Sequence, residues 1–236
     1  MIDYKKRSQK KEILDQENIP FQDIALNMKE LEFINAHLGG HSITISGFKK
    51  LLQNKKEISI CEIGCGGGDN LNAINKVCEQ NGIRSSFTGI DINEDCIEFA
   101  KRNSNITSAN FINSDYKKSD FGSEKPDIIF SSLFCHHFTN NELVEMMIWL
   151  RKNSAIGFFL NDLHRHPIAF HFIKSATKIF SKSYLVKNDA PLSVLRGFKR
   201  NDWRFILKEA GIENYSIHWK WAFRYLIIVP NNEIKN

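Results

Sequence analysis

The hydrophobic residues of this chain fall into short continuous runs separated by longer segments of helical periodicity. The short runs predict buried strands, and we place five of them at 58–63, 87–91, 110–116, 126–134 and 155–161. Between the runs, apolar residues recur every three or four positions, as in the predicted helix that contains Leu71, Ile74 and Val77. Strands that alternate with helices in this way predict an α/β fold.

Further elements are predicted on both sides of this series. Before the first strand, residues 12–38 carry an amphipathic stripe that ends at two glycines, and residues 43–52 form a second short helix. After the fifth strand, Pro167 suits the first turn of a helix, and the segment 181–198 is interpreted as a loop. The end of the chain predicts a helix followed by two alternating strands, at 202–210, 213–219 and 221–229.

Glycines cluster directly after the first predicted strand. Glycine is needed where the backbone takes a positive φ or approaches a ligand closely, and the helix that follows presents free N–H groups to that ligand. No Lys-Ser or Lys-Thr pair follows, as a P-loop requires, and a dinucleotide fingerprint counted from Gly64 reaches Asp69 in place of its last glycine. An ordinary strand–helix turn also explains a glycine cluster. The pattern that remains is E-x-G-x-G-x-G, formed by Glu62, Gly64, Gly66 and Gly68.

Polar residues follow the other predicted strands as well. The second strand ends at Asp91, where doubly wound folds place a carboxylate that accepts hydrogen bonds from ribose hydroxyls. The third strand ends in Asp115-Tyr116, and the fourth is followed by Cys135-His136-His137. The fifth leads into Asp162-Leu163-His164. Because ligands of open α/β sheets gather at the carboxyl ends of the strands, this edge is the predicted binding site.

The order of these motifs resembles that of the class I methyltransferases, which use S-adenosylmethionine (SAM). It runs E-I-G-C-G-G-G, G-I-D, S-D-Y and P-D-I-I-F-S-S-L-F, and the resemblance covers residues 55–163. It implies an α/β, Rossmann-like fold with a seven-stranded, mostly parallel sheet, an antiparallel last strand and a helical lid. The chain also looks like a bacterial subgroup, the UbiE-like or type 12 methyltransferases found beside type III polyketide synthases. The shared motifs are the leader E-x-x-D, N-A-H-L-G-G, S-S-L-F-C-H-H-F, N-D-L-H-R and N-D-A-P-L-S-V-L-R-G-F.

The resemblance also implies a division of the chain and a set of cofactor contacts. The predicted parts are an N-terminal helical cap at 1–54, a SAM-binding core at 55–163, a substrate lid insertion at 164–198, and a C-terminal helix with closing strands at 199–236. Asp91 is expected to hold the ribose hydroxyls, and Asp115 the adenine amino group. The full set assigned to SAM, and to its product S-adenosylhomocysteine (SAH), is Glu62, Gly64, Cys65, Gly66, Gly68, Asp91, Ile92, Asp115, Tyr116, Ser131 and Ser132.

Histidines past the fourth and fifth strands are the candidate catalytic groups. A phenol or enol acceptor must lose a proton during methyl transfer, and histidine is suited to take it. We therefore assign His136, His137 and His164 as catalytic candidates, although each alone is also explained as an ordinary hydrogen-bonded histidine. His164 stands where the family commonly has Arg or Glu. The acceptor is predicted to be a small, apolar aromatic or polyketide-like molecule, methylated on oxygen or carbon against Phe170, Phe172, Phe180 and Tyr184.

Composition and charge leave two alternatives to this prediction. The net charge of +5 includes a basic run at residues 5–11, which favours a solvated leader but also fits an RNA methyltransferase, and a non-catalytic SAM-binding protein would keep the same fold. Five cysteines without a C-x-x-C pair predict reduced thiols in the cytoplasm, and the longest apolar segment is too short to cross a bilayer. We expect no metal at Cys135-His136-His137, because neighbouring residues at a strand end point in different directions. No nucleic-acid partner is expected.

Overall fold

The computed structural model describes residues 2–16, 18–107, 109–122 and 124–231. A seven-stranded sheet forms its centre, and each strand begins and ends close to the predicted position. The strands are β1 Glu57–Ile63, β2 Arg84–Asp91, β3 Ala109–Asn113, β4 Ile128–Ser132, β5 Gly157–Leu163, β6 Ser216–Lys220 and β7 Arg224–Pro230. The helices are α1 Phe21–His37, α2 Gly40–Leu52, α3 Asp69–Gln80, α4 Glu94–Asn103, α5 Asn140–Asn153, α6 Pro167–Phe180, α7 Tyr184–Arg196 and α8 Arg200–Glu209.

The strand order confirms the predicted fold class. The sheet runs β3-β2-β1-β4-β5-β7-β6, with β1 to β5 parallel and β7 antiparallel to both of its neighbours. The order reverses between β1 and β4. From β1 the chain adds β2 and β3 toward one edge of the sheet, and from β4 it adds β5 toward the other edge. In open α/β sheets this switch point is where ligands bind, because the loops that leave the two strands diverge there.

Helices cover both faces of the sheet, which explains why its strands are continuously hydrophobic. Successive residues of β1 contribute to opposite cores: Ile60 packs with α2 and α3, and Cys61 packs with α5 and α8. Helix α2 lies directly on the sheet, since a Cβ at Gly47 would collide with the Phe159 ring of β5. Helix α2, which falls within the predicted cap at 1–54, is therefore one of the helices that cover the sheet. No described helix has the length and apolar content needed to cross a membrane.

Two segments differ from the sequence prediction. Residues 184–196 form α7 where a loop is predicted; Ser183 caps the helix by accepting a hydrogen bond from the Val186 N–H, and Pro191 lies inside it. The turn-like sequence around Pro191 misled the prediction, because burial of the helix outweighs the bond that proline cannot donate. The predicted helix at 12–38 begins only at Phe21, directly after Pro20.

Residues 2–16 instead form a leader that lies along the carboxyl edge of the sheet and contains one 3₁₀ turn, Ile13–Asp15. The Ser8 N–H donates to the Leu195 carbonyl at 3.0 Å, and the Asp189 carboxylate accepts from the backbone of Ile13 and Leu14. The Arg7 guanidinium, predicted to be solvated, donates to the carbonyls of residues 136, 138 and 196. These contacts hold the leader against α7 and against the turn that follows β4.

Candidate functional site

A cavity of about 1620 Å³ opens at the carboxyl end of the parallel strands. Its walls come from the leader, α1, the loops after β1 to β4, α6, α7 and the turn between β6 and β7. Single-ligand pockets usually measure about 300–1,000 Å³, so this volume accommodates two molecules side by side. The cavity lies at the carboxyl edge of the sheet, where the sequence predicts a binding site, and it includes the switch point between β1 and β4.

The glycine turn forms one side of this cavity. Gly64 and Gly66 have φ values of 65° and 50°, which disfavour any other residue, and a Cβ at Gly64 would collide with the Phe134 ring. Gly64, Cys65 and Gly66 all line the cavity. Gly68 also has a positive φ, but it begins α3 and packs on Phe111, so its contribution is to the shape of the turn.

Asp91 connects the glycine turn to the end of β2. One carboxylate oxygen accepts from the Gly66 N–H and the other from the Asn93 N–H, both at 2.9 Å. Burial raises the pKa of Asp91, although both of these bonds act to lower it. The neighbouring Ile92 is 74% exposed and presents an apolar surface to the cavity. Asp91 and Ile92 therefore both lie in the cavity wall at the end of β2, and their contacts with SAM remain a prediction.

The remaining predicted cofactor residues divide between the cavity and the core. Asp115 and Tyr116 line the cavity, with Asp115 accepting from the Lys117 N–H at 3.0 Å. Ser132 also lines it. Ser131 differs from the prediction, since its hydroxyl turns into the core and lies 3.4 Å from Cys135 Sγ. Successive side chains of a strand point to opposite faces of the sheet, so the two serines cannot both face the cavity.

Two buried ionisable side chains, one acidic and one basic, line the cavity without a full set of hydrogen-bond partners in the described chain. Glu62 is 0% exposed, and neither carboxylate oxygen has a hydrogen-bond partner among the described residues. Burial, reinforced by the charges of Asp69 and Asp91, raises the pKa of Glu62 well above its usual range. Arg224 is 3% exposed; its Nη1 also lacks a partner in the described chain, and burial lowers its pKa to about 10. A buried, unpaired charge is costly, so both groups fit a ligand that carries the complementary charges.

The motif N-A-H-L-G-G supports this charged region. Asn35 accepts from Arg224 Nη2 at 3.1 Å and donates to Asp69 Oδ2 at 3.1 Å. His41 Nε2 lies 2.7 Å from the same Asp69 oxygen. Glu62 was among the residues assigned to SAM from the sequence, whereas Arg224 was missed because it begins an antiparallel strand far along the chain.

A second polar group lies beside the lid and the leader. His136 is buried, its Nδ1 is 2.9 Å from Asp162 Oδ1, and its Nε2 is 3.5 Å from Glu12 Oε1. His137 is partly exposed, with Nδ1 3.1 Å from Asp15 Oδ1 and Nε2 3.8 Å from Glu12 Oε2. Glu12, Asp15 and the two histidines all line the cavity. The sequence signal for the two leader carboxylates was the motif E-x-x-D, to which no function was assigned.

Charges around His136 alter its acid–base properties. Burial acts to lower the pKa of His136, but the carboxylates of Asp162 and Glu12 outweigh it and raise the pKa to about 9. The histidine charges in turn hold the pKa of Asp162 and of Glu12 below their usual ranges despite burial. Arg196 donates to the His136 carbonyl at 3.0 Å, and Ser193 donates to Glu12 Oε1 at 2.8 Å. The leader and α7 thus fix these side chains together.

His164 differs from its predicted catalytic role. Its Nδ1 accepts from Trp219 Nε1 at 3.2 Å, and its ring packs on Tyr225 and Phe223. Burial and the nearby His166 lower the pKa of His164 to about 4. Its side chain lies beneath the β6–β7 turn, outside the cavity wall. The backbone of His164 forms an isolated bridge with Phe198, and its side chain contacts the β6–β7 hairpin and not the group formed by His136 and His137.

The aromatic residues of the predicted lid are also separated. Phe172 lines the cavity and is 58% exposed, and the neighbouring Ile168 lines it as well. Phe170 is buried against Tyr4 and Val194. Phe180 and Tyr184 are exposed and lie outside the cavity wall. Unpredicted aromatic residues complete the rim from the β6–β7 turn, namely Trp219, Trp221 and Phe223.

Comparison with models of protein families gives a match to this chain. A model described as "Methyltransferase domain" matches residues 54–188, which is more than half of the chain. A comparison with curated protein sequences finds no match.

Solved structures share the fold at low sequence identity. The plantazolicin methyltransferase BpumL, in complex with SAH, is 19% identical, with a TM-score of 0.66 over 90% of this chain and 96% of that chain. Human N-acetylserotonin methyltransferase, in complex with SAM, is 15% identical, with a TM-score of 0.63 over 89% of this chain and 56% of the other. Magnesium protoporphyrin IX methyltransferase from Synechocystis PCC 6803, with bound SAH, is 16% identical, with a TM-score of 0.51 over 93% and 91% of the two chains.

Proposed function

The chain belongs to the methyltransferase-domain family, and on this premise we propose that it moves a methyl group from SAM to a small, largely apolar aromatic or polyketide-like acceptor. Bound SAM supplies an electrophilic methyl group, so the protein has to align the acceptor and exclude water. The acceptor atom is an oxygen or a carbon. The motifs shared with the UbiE-like subgroup support a function in secondary metabolism, and five buried free cysteines suit the cytoplasm.

The observation that carries the cofactor assignment is the pair of unpaired charges at Glu62 and Arg224. SAM contains an α-amino acid, with an ammonium group and a carboxylate on one carbon. In our proposal the Glu62 carboxylate accepts from the ammonium, and the Arg224 guanidinium donates to the carboxylate. Asp91, Ile92 and Asp115 then hold the adenosine, and the glycine backbone lies against the part between.

The acceptor part of the cavity combines an apolar rim with a polar floor. Phe172 and Trp221 supply aromatic surface at the rim, and Glu12, His136 and His137 meet at the floor. Such a site orients a molecule that is apolar over most of its surface and carries one ionisable group. The carboxylates of Glu12, Asp15 and Asp189 oppose a polyanion, which argues against RNA as the acceptor.

Two measurements test the proposal. Calorimetric titration of the purified chain should show tighter binding of SAH than of NADH, because the glycine spacing does not match the dinucleotide pattern. Labelled SAM should then transfer its methyl group to members of a panel of phenols, alkylresorcinols and quinols. Methylation of bulk tRNA, with none of the small molecules modified, would show that the basic run at residues 5–11 indicates the acceptor instead. Preferential NADH binding would contradict the cofactor assignment.

A further inference from the structure

The two histidines on the cavity floor have the same arrangement of neighbours. In each, Nδ1 lies within hydrogen-bond distance of an aspartate, at 2.9 Å in His136 and 3.1 Å in His137. An aspartate that accepts from Nδ1–H fixes the ring orientation and leaves the Nε2 lone pair for another partner. Both Nε2 atoms point toward the carboxylate of Glu12.

The distances between these atoms suit a shared cation. The two Nε2 atoms lie 3.5 and 3.8 Å from the Glu12 oxygens, longer than an ordinary N–H···O bond of about 2.7–3.2 Å. All three ligand atoms lie within 4.8 Å of one another. A tetrahedral zinc ion with bonds of about 2.0–2.1 Å separates its ligand atoms by about 3.3–3.4 Å. The two measured separations, 3.5 and 3.8 Å, exceed this spacing by less than about 0.5 Å, so a small inward movement of the side chains brings the three groups to a metal coordination sphere.

We propose that Glu12, His136 and His137 bind one divalent transition metal, of which Zn²⁺ is the representative. Two histidines and one carboxylate form a common ligand set of catalytic zinc sites, in which the fourth position stays open. Asp162 and Asp15 are the outer carboxylates that orient the two imidazoles. All three ligands line the cavity, so a metal held by them would be accessible from the acceptor space.

The charges around the cluster are compatible with a divalent cation. Four carboxylates lie in or beside the cluster. Glu12, Asp15 and Asp162 contact the two histidines, and Asp189 accepts from the leader backbone next to Glu12. Two guanidiniums oppose them: Arg196 Nε lies 3.9 Å from Glu12 Oε1, and Arg7 donates to the backbone of the histidine turn. With both imidazoles neutral, this set retains two negative charges, which one divalent ion neutralises.

From the sequence alone no metal is expected at Cys135-His136-His137, and the fold explains the difference. Residues 135–137 form a single 3₁₀ turn and do not continue β4, so the rings of His136 and His137 lie side by side, with centroids 4.4 Å apart. The third ligand, Glu12, comes from the leader, more than one hundred residues earlier in the chain. Only the folded leader assembles the site.

The consequence for catalysis rests on the proposed function. A metal held by Glu12, His136 and His137 would act as a Lewis acid toward an acceptor oxygen and would lower the pKa of its hydroxyl, as zinc lowers the pKa of bound water to about 7. This favours acceptors that carry a phenolic or enolic oxygen. The metal site itself does not depend on the acceptor's identity, so it is tested by binding.

The experiment uses the full, untagged chain after removal of metal with a chelator. Titration with Zn²⁺ by calorimetry should give one equivalent, and Co²⁺ should give the intense visible absorption of a four-coordinate site. His137→Ala and Glu12→Gln should each abolish the Co²⁺ signal. Asp15→Asn should weaken Zn²⁺ binding by about 10- to 100-fold, as loss of an outer carboxylate does. His171→Ala changes an exposed histidine on α6 and should leave binding unchanged.

Binding of SAH to every variant shows that the fold and the cofactor half of the cavity are intact. If Zn²⁺ fails to bind, or binds equally well to His137→Ala and Glu12→Gln, the proposal is wrong and the cluster only fastens the leader to the histidine turn. That outcome leaves the methyltransferase assignment untouched, whereas loss of SAH binding by the unmodified chain would contradict the proposed function alone.

Discussion

At the scale of single residues, Asp91 connects the glycine turn after β1 to the turn after β2, at the cofactor end of the cavity. We predict that Asp91→Asn lowers the affinity for SAH at least about tenfold, because charge-assisted hydrogen bonds contribute about 1.5–3 kcal/mol. The carboxylate also accepts from Gly66 and Asn93, so a fall in melting temperature should accompany the loss. Calorimetry and thermal unfolding measure the two effects. Asp120→Asn is the matched control, because this exposed carboxylate also accepts a backbone hydrogen bond, from Gly122, but does not line the cavity.

Glu62 and Arg224 allow a sharper test of cofactor orientation. We predict that Glu62→Gln and Arg224→Gln each weaken SAH binding about tenfold or more, since each removes one charged partner of the amino acid group. Binding of 5′-methylthioadenosine, which lacks that group, should change little in either variant. The ratio of the two affinities is the readout. Equal losses for both ligands would mean that the substitutions disturb the cavity as a whole.

At the scale of elements, the turn between β6 and β7 stores backbone strain. Ala222 and Phe223 have φ values of 57° and 55°, a region in which non-glycine residues lose roughly 1–2 kcal/mol. Both residues line the cavity, and the turn places Arg224 at the start of β7. The strain is tolerated because the strands on either side of the turn, β6 and β7, pair with each other, and β7 also pairs with β5.

We predict that Ala222→Gly raises the melting temperature by about 1–3 °C, because relief of the left-handed conformation outweighs the added entropy of the unfolded chain. Differential scanning calorimetry measures it. Ala176→Gly lies inside α6 and should do the opposite, with a loss of roughly 0.5–1 kcal/mol. A lower melting temperature for both variants would show that the turn is unstrained.

At the scale of the whole molecule, the cavity divides into a cofactor end and an acceptor end that use different segments. We predict that Phe172→Ala raises the KM for the acceptor by about three- to tenfold, since this half-exposed ring contributes only part of the roughly 1.5–3 kcal/mol of full burial. The affinity for SAH should stay the same. Steady-state kinetics and calorimetry provide the two numbers.

The control is Phe205→Ala, an equally exposed phenylalanine on α8 outside the cavity wall. A rise in KM for both variants, or a loss of SAH binding in Phe172→Ala alone, would contradict a separate acceptor end formed by α6. Phe170→Ala is unsuitable, because this buried ring packs on the leader and its loss would destabilise the protein.

The sequence by itself determined the features that depend on local periodicity and backbone freedom. The strands of the sheet, the antiparallel β7 through the family resemblance, the glycine turn after β1 and the carboxylate at the end of β2 all lie as predicted. Each follows from neighbouring residues: hydrophobic spacing sets the element, and a positive φ requires glycine. The cap of α4 is equally local, because the Asn93 side chain accepts from backbone N–H groups only two and three residues further along.

Only the tertiary structure decided which distant side chains meet. The register that pairs Leu163 with Arg224 brings that arginine to the cavity, and the docked leader brings Glu12 and Asp15 to His137. The same packing turns His164 toward Trp219 and Ser131 into the core. Such contacts depend on the path of the chain and on which face of an element is buried. Local sequence patterns carry neither of these, so the polar floor of the cavity emerges only on folding.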